Sequence, residues 1–259
     1  LPQTMLPTID RQLLTHTHTR PALRPKTNGQ YLINDVRAIV AHWTANTDAG
    51  ADAQANRNYF NNGSPGPKGV SRAASAHYVV DDHSIIQCLP DHEVGFHVGA
   101  KTYLPAGVDL IRGTSLTPNH FTVGFEMCVN KDGDWVKTYD NSARLAAWLL
   151  LKHGLGVDQL LRHHDITGKD CPKMMLERWA WEKFRADVWQ YRMYYSAKYL
   201  FPFRVASKEL NVRIGPGTGH LPLYALPKGE VVLAPGDGVT RREWVEIEGG
   251  KFVNSKYLE

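Results

Sequence analysis

The stretch from Arg162 to Pro172, RHHDITGKDCP, constrains the fold and the chemistry of this chain more than any other. It concentrates two imidazoles, a lysine, two carboxylates and a thiol ahead of a proline. Imidazole nitrogen and thiolate sulfur are donors that zinc binds readily. We therefore expect one histidine of the pair His163 and His164 to bind a metal ion together with Cys171.

A third ligand is expected from a strand far upstream. Residues 36–44, VRAIVAHWT, form an apolar run that predicts a buried strand with His42 near its carboxyl end. Sheets of α/β proteins usually place their chemistry at that end. The alternative is that His42 is a hydrogen-bonded core residue. Because three protein ligands and an open position define a catalytic zinc site, the sequence predicts one catalytic Zn²⁺.

A carboxylate interrupts the strongest strand signal, residues 121–129, FTVGFEMCV. The two-residue period of a strand puts Gly124, Glu126 and Cys128 on one face. A carboxylate in such a strand loses hydration and needs a partner or a function. We expect Glu126 to act as the general base that passes a proton from water to a leaving amine. Lys169 is expected to stabilise the oxyanion, which completes a site for metal-assisted amide hydrolysis.

The other patterns predict an α/β fold, with a mixed β-sheet flanked by helices and followed by a small all-β barrel. Strands are expected at 74–81 and 84–89, and helices at 53–62, from Asn141 to His153, and from Pro172 to about Tyr195. We expect an irregular leader at 1–34, a catalytic domain at 35–197 and an all-β domain at 203–259, where short β-rich runs alternate with turns.

Composition argues against several classes of protein. A net charge of +4 suits an anionic surface such as a cell wall but is too small to indicate nucleic acid, so no nucleic-acid partner is expected. The sequence contains no run of about 18 apolar residues, so no membrane span is expected. No signal segment is visible. The cysteines Cys88, Cys128 and Cys171 match no disulfide scaffold and no paired-cysteine zinc finger. A disulfide between Cys88 and Cys128 stays open as an alternative to two buried thiols.

Five short segments carry a family resemblance. They are AHWT at 41–44, SAHY at 75–78, GFHVG at 95–99, VGFEMCVN at 123–130 and RHHDITGKDCP at 162–172. Together they resemble the zinc-dependent N-acetylmuramoyl-L-alanine amidases of the amidase type 2 family, which are related to peptidoglycan recognition proteins. The resemblance covers about residues 35–180. It implies a mixed sheet flanked by helices, with zinc in a groove that accepts the glycan-linked stem peptide.

The resemblance also implies a role for each site residue. The family's ligand histidine lies eight residues before the last ligand, which selects His163 as the partner of His42 and Cys171. Glu126 and Lys169 fall on the family's catalytic positions.

The resemblance further implies that Trp43, His77 and His97 contact the substrate along the groove. One departure concerns a catalytic tyrosine that some members carry just before the histidine equivalent to His77. This chain has Ala76 there, which leaves Glu126 as the acid/base.

The implied function is hydrolysis of the amide bond between N-acetylmuramic acid and L-alanine by a monomer. It would act on the glycan strand and stem peptide of peptidoglycan, in an extracellular, cell-wall or periplasmic location, as endolysins and autolysins do. Residues from 203 onward resemble bacterial SH3-like modules and imply cell-wall binding, with a spacer or packing partner as the alternative. A non-catalytic peptidoglycan-binding recognition protein and a cysteine-dependent cell-wall peptidase are the competing functions.

Overall fold

A six-stranded mixed sheet forms the centre of the computed structural model, which describes residues 6–21, 33, 35–70, 72–197, 200–235, 243–247 and 251–259. Its strands are β1 (Asp10–Arg11), β2 (Ala38–Trp43), β3 (Tyr78–Val80), β4 (Ile85–Gln87), β5 (Thr122–Met127) and β6 (Leu160–Arg162). They lie in the order β1-β4-β3-β5-β2-β6. β2 runs parallel to both β5 and β6, whereas β3 and β4 form the predicted hairpin with shorter strands than expected. The predicted mixed sheet is confirmed.

Helices cover both faces of this sheet. They are α1 (Ala53–Asn61), α2 (Pro105–Ile111), α3 (Trp135–Lys152), α4 (His163–Thr167) and α5 (Arg178–Ala197). α3 and α5 share a buried cluster with Ile39, Phe125 and Met127, while α2 and α4 pack around Ala38 and Val40 on the opposite face. Strand alternation therefore directs the side chains of β5 on either side of Phe125 away from α3 and α5.

No helix in the described part of the chain is both long and apolar enough to cross a membrane. The three cysteines are free and buried, and Cys88 and Cys128 belong to one hydrophobic cluster. The structure therefore has two buried thiols in place of the alternative disulfide.

The helix predicted to start at Asn141 begins earlier, at Trp135. The side chain of Asp134 caps it by accepting hydrogen bonds from two backbone N–H groups of the first turn, at 3.0 and 3.3 Å. Asn141 lies inside the helix, where its Nδ2 donates to the carbonyl oxygen of Asp81 at 3.0 Å. An aspartate and an asparagine are both good N-caps, and the tertiary contact of Asn141 decides between them.

The helix predicted to start at Pro172 begins at Arg178. Pro172 instead precedes a short 3₁₀ turn, Lys173–Met175. The guanidinium of Arg162 donates to the carbonyl oxygen of Met175 at 2.8 Å. That carbonyl group is thus engaged by a side chain from β6, and the regular helix starts after it.

The described residues of the leader include one short strand. Asp10–Arg11 forms an edge strand parallel to β4. The chain then continues beside β4, where the backbone N–H of Leu14 donates to the carbonyl oxygen of Cys88 at 2.9 Å. Ile9 and Leu14 are buried. The leader is therefore regular at Asp10–Arg11, while Ile9 and Leu14 have irregular backbone and bury their side chains in the core. Residues 1–5, 22–32 and 34 lie outside the described part of the chain.

The chain after α5 consists of short strands in its described residues. They are β7 (Leu200–Arg204), β8 (Glu209–Arg213), β9 (Pro222–Pro227), β10 (Val231–Pro235), β11 (Trp244–Ile247) and β12 (Lys251–Asn254). β7 pairs with β10, and the other four form an antiparallel sheet in the order β11-β12-β8-β9. These strands enclose their own core, which includes Val205, Leu210 and Val245. We refer to residues 200–259 as the C-terminal β-unit.

A buried charge network joins the C-terminal β-unit to α3. Nζ of Lys152 lies 2.8 Å from Oδ2 of Asp91 and 3.2 Å from Oε1 of Glu230. Nδ1 of His92 lies 2.6 Å from the other oxygen of Glu230, and Nε2 of His153 lies 3.0 Å from Asp91. Lys152, Asp91 and Glu230 are almost fully buried. The two parts of the chain are thus held together by charges that have lost their hydration.

This charge network should make stability depend on pH through His92. Burial lowers the pKa of His92, but the hydrogen bond and charge of Glu230, aided by Glu93 and Asp91, give a net rise. A raised folded-state pKa stabilises the protein fully below the unfolded value of about 6.5, and this contribution is lost as pH rises through the folded-state pKa. Between pH 6 and pH 8.5, the wild type should therefore lose more unfolding free energy than His92→Gln in urea titrations. An identical pH dependence in both proteins would contradict this assignment.

Candidate metal and catalytic site

Three potential ligands meet where β2 and β6 end side by side. His42 lies near the carboxyl end of β2, His163 opens α4 directly after β6, and Cys171 follows α4. Nδ1 of His42 is 3.1 Å from Nδ1 of His163 and 3.6 Å from Sγ of Cys171. All three residues are buried, and their donor atoms lie within 4.8 Å of one another.

The spacing of these atoms fits a zinc ion. Tetrahedral zinc, with bonds of about 2.0 Å to nitrogen and 2.3 Å to sulfur, separates two nitrogen ligands by about 3.3 Å and nitrogen from sulfur by about 3.5 Å. The two measured separations, 3.1 and 3.6 Å, agree with this geometry. The structure therefore brings together the three predicted ligands in an arrangement suited to zinc.

Local bonds around α4 hold the ligand loop in shape. Arg162 forms an ion pair with Asp165 of 2.7 Å, and its backbone N–H donates to the same carboxylate at 2.8 Å. Gly168 ends the helix in the left-handed conformation, with a φ of 79°. The backbone N–H of His164 then donates to the carbonyl oxygen of Cys171 at 2.9 Å. The side chain of Asp165 and the backbone of His164 thus support the loop.

Glu126 lies beside the ligands, in register with His42 across the β2–β5 pair. Its Oε2 is buried and has no hydrogen-bond partner within the described structure. Burial raises the pKa of Glu126 to about 8, against the opposing effect of the charge of Lys169. A carboxyl group with such a pKa can hold or release a proton near neutral pH, as general acid–base catalysis requires.

Lys169 is exposed, and its positive charge affects the pKa values of the groups in the site. Burial, together with Lys169, lowers the pKa of His163 to about 4, so this imidazole is neutral and able to bind a metal. Burial and the charge of Glu126 raise the pKa of the Cys171 thiol to about 12, while the backbone of Trp43 and the charge of Lys169 oppose that rise. Without a metal the thiol therefore keeps its proton.

The structure places His77 and His97 inside the protein. Nε2 of His77 lies 2.8 Å from the carbonyl oxygen of Glu93, and its Nδ1 accepts a hydrogen bond from the backbone of Gly124 at 3.1 Å. Nδ1 of His97 is 2.9 Å from Nε2 of His42. The two residues are 0% and 8% exposed, respectively. The ring nitrogens are thus engaged within the interior, and contact of these two residues with substrate stays a prediction.

Trp43 and Thr44 extend β2 to the edge of the site. Trp43 is partly exposed, and its contact with substrate stays a prediction. Oγ1 of Thr44 is buried and has no partner within the described structure. A cavity of about 280 Å³ lies beyond the end of β5, lined in part by Trp135 and Met174.

Sequence reasoning missed two residues that hold His97. Oδ1 of Asn119 accepts hydrogen bonds from the backbone N–H groups of His97 and Val98, at 3.1 and 2.9 Å. A Cβ atom at Gly124 would lie only 2.5 Å from Nδ1 of His97. A glycine inside a strand is a known sign of close approach and could have indicated this contact. Asn119 lies in a short 3₁₀ turn, Pro118–His120, that carries no comparable signal.

Comparison with known proteins agrees with this site. The family model described as N-acetylmuramoyl-L-alanine amidase matches residues 33–174, a segment that includes all three ligands. A probable N-acetylmuramoyl-L-alanine amidase of Bacillus licheniformis is 37% identical over 171 residues, covering 65% of this chain and 43% of the relative. The amidase XlyA of Bacillus subtilis is 33% identical over 150 residues, covering 58% of this chain and 43% of the relative. This chain thus spans less than half the length of these relatives.

Solved structures give the same result. The catalytic domain of XlyA is 29% identical and superposes with a TM-score of 0.53, covering 70% of this chain and 99% of that domain. A mutant endolysin from Bacillus subtilis is 30% identical with a TM-score of 0.54, covering 70% of this chain and 98% of the other. The family model, the curated relatives and the structural neighbours agree with one another, and the chain belongs to the N-acetylmuramoyl-L-alanine amidase family.

Proposed function

We propose that this chain hydrolyses the amide bond between N-acetylmuramic acid and L-alanine in peptidoglycan, with one zinc ion held by His42, His163 and Cys171. The observation that carries the proposal is the meeting of these three donor atoms beside a buried carboxyl group with a raised pKa. Relatives named as N-acetylmuramoyl-L-alanine amidases match the segment that contains this site.

Two residues would perform the proton and charge chemistry. When bound, zinc would polarise the substrate carbonyl group and lower the pKa of a water molecule. Glu126 takes a proton from the attacking water and delivers it to the leaving nitrogen of L-alanine. The ammonium group of Lys169 stabilises the negative charge that develops on the carbonyl oxygen.

Substrate recognition would involve both parts of the chain. Trp43 would contact the sugar or peptide next to the ligands. The C-terminal β-unit, which we propose to be an SH3-like wall-binding module, exposes Ile214, Leu221 and Leu223 around the β8–β9 turn. Exposed apolar groups in one region support binding over a spacer role. The proposed enzyme is a monomer that acts outside the cell membrane, in or near the cell wall.

The structure favours this function over its two rivals. A recognition protein that only binds peptidoglycan has no need for a complete ligand set, and this chain brings His42, His163 and Cys171 together. A cysteine peptidase needs a thiolate nucleophile, whereas burial raises the pKa of Cys171 to about 12.

Metal removal and replacement test the proposal. The purified chain should carry one zinc ion, lose peptidoglycan hydrolysis in a strong chelator, and recover it when zinc is added. Cys171→Ala should lose both zinc and activity, because two imidazoles alone hold zinc weakly. Cys88→Ala removes a buried thiol elsewhere and should retain both. Hydrolysis that survives complete zinc removal but is blocked by thiol alkylation would support the cysteine peptidase instead.

A further inference from the structure

His97 lies at the centre of a buried hydrogen-bond chain behind the ligands. Its Nδ1 is 2.9 Å from Nε2 of His42, and its Nε2 is 3.3 Å from Oγ1 of Thr122. The hydroxyl group of Thr122 donates to the carbonyl oxygen of Pro118 at 2.9 Å. All three residues, His42, His97 and Thr122, are at least nine-tenths buried. Their hydrogen bonds are therefore shielded from solvent.

The donor and acceptor of each of these hydrogen bonds follow from the nitrogen atom of His42 that faces the other two ligands. Nδ1 of His42 faces His163 and Cys171, so a metal at that position requires the ring proton to sit on Nε2. That N–H donates to Nδ1 of His97, which places the proton of His97 on Nε2, facing Thr122. The carbonyl oxygen at the end can only accept. Every donor in the chain therefore meets an acceptor.

Two features outside the chain hold His97 in this position. Asn119 fixes its backbone through the hydrogen bonds to residues 97 and 98. Gly124 leaves space for its ring, since a Cβ atom there would lie 2.5 Å from Nδ1 and 2.7 Å from Cε1. Such a distance forces either the strand or the ring to move. The close approach of His97 to β5 thus depends on a residue without a side chain.

We propose that His97 is a positioning residue that fixes the tautomer and the ring plane of the metal ligand His42. Ligand histidines usually donate their second N–H to a carboxylate or a carbonyl group. Here a neutral imidazole accepts it, which orients His42 without adding negative charge beside the Cys171 thiolate. This inference rests on the proposed zinc site and replaces the substrate contact expected for His97.

Zinc affinity measured by competition with a chromophoric chelator tests this role. His97→Ala should weaken zinc binding by about 10- to 100-fold, the usual cost of losing a partner of a ligand histidine. In His97→Asn the amide oxygen can replace the Nδ1 acceptor, so this variant should recover most of the affinity. In His97→Gln the amide extends towards Thr122 instead, so the variant should stay close to His97→Ala.

A second variant tests the same contact while keeping every ring. Gly124→Ala should displace His97 and weaken zinc binding to a similar extent. His220→Ala, which removes an exposed histidine from the C-terminal β-unit, should bind zinc as the wild type does. If His97→Ala does not fold, Thr122→Val retains the packed shape and removes the hydroxyl acceptor. It should give a smaller but measurable loss of affinity.

The outcomes separate this inference from the proposed function. Wild-type affinity in both His97→Ala and Gly124→Ala, with zinc bound to the wild type, would overturn the positioning role alone. Equal losses of zinc affinity in His97→Asn and His97→Ala would overturn the role of His97 as a hydrogen-bond acceptor. A wild-type chain that binds no zinc would overturn both this inference and the zinc site on which it rests.

Discussion

Glu126→Gln should lower the rate of peptidoglycan hydrolysis by about 100- to 10,000-fold, the usual contribution of a general acid–base group. Glutamine matches the shape of glutamate but cannot take a proton from water or deliver one to the leaving nitrogen. Zinc content should be unchanged, because Glu126 is not one of the three donors. Initial rates of dye release from labelled peptidoglycan, with zinc measured on the same samples, give both quantities.

Stability should separate a catalytic loss from a folding defect. Burial raises the pKa of Glu126 to about 8, so its ionised form is disfavoured in the fold, and a neutral amide should leave the melting temperature unchanged or higher. Glu246→Gln makes the same chemical change at an exposed strand position in β11 and should keep full activity. Near wild-type hydrolysis by zinc-loaded Glu126→Gln would show that another group carries the proton.

Lys152→Met should lower the unfolding free energy by about 3–5 kcal/mol, since removing one partner leaves the other buried charges uncompensated. Asp91 and Glu230 would lose their shared cation, which now lies 2.8 and 3.2 Å away. The rest of the methionine side chain can fill the space of the lysine stem, so the effect reports mainly on charge. Urea unfolding followed by tryptophan fluorescence measures the change.

Lys183→Met is the matched control for this prediction. Lys183 forms a 2.6 Å pair with Asp187 on α5, but its side chain is 62% exposed. Exposed pairs of this kind contribute about 0–1 kcal/mol. Equal losses in the two variants would show that the buried charge network does not hold the C-terminal β-unit to α3.

The central sheet was predictable because its signals are local. The apolar runs that became β2 and β5 are compact, and the alternation of β5 put Phe125 and Glu126 on opposite faces. Helix starts were less predictable, because several polar residues can cap a helix. The engagement of Asn141 with Asp81, and of Arg162 with Met175, depends on residues distant in sequence.

The clustering of His42, His163 and Cys171 was predictable for a different reason. The last motif combines an unusual density of donors with a family spacing that selects His163. The burial of His77 and His97 could not be predicted from the sequence in this way, because it arises from packing against Gly124 and Asn119. The pairing of Lys152 with Glu230 joins residues separated by 78 positions. No local sequence pattern around either residue predicts this pairing.

Analysis of the products of peptidoglycan digestion tests the central claim most directly. Purified peptidoglycan is incubated with the zinc-loaded chain, with zinc-loaded Glu126→Gln as the blank, and soluble and insoluble fractions are examined by mass spectrometry. We predict release of stem peptides that begin with a free L-alanine amino group, with the glycan strands left intact. New reducing sugar ends, or peptides cut between amino acids with L-alanine still attached to the glycan, would contradict the account.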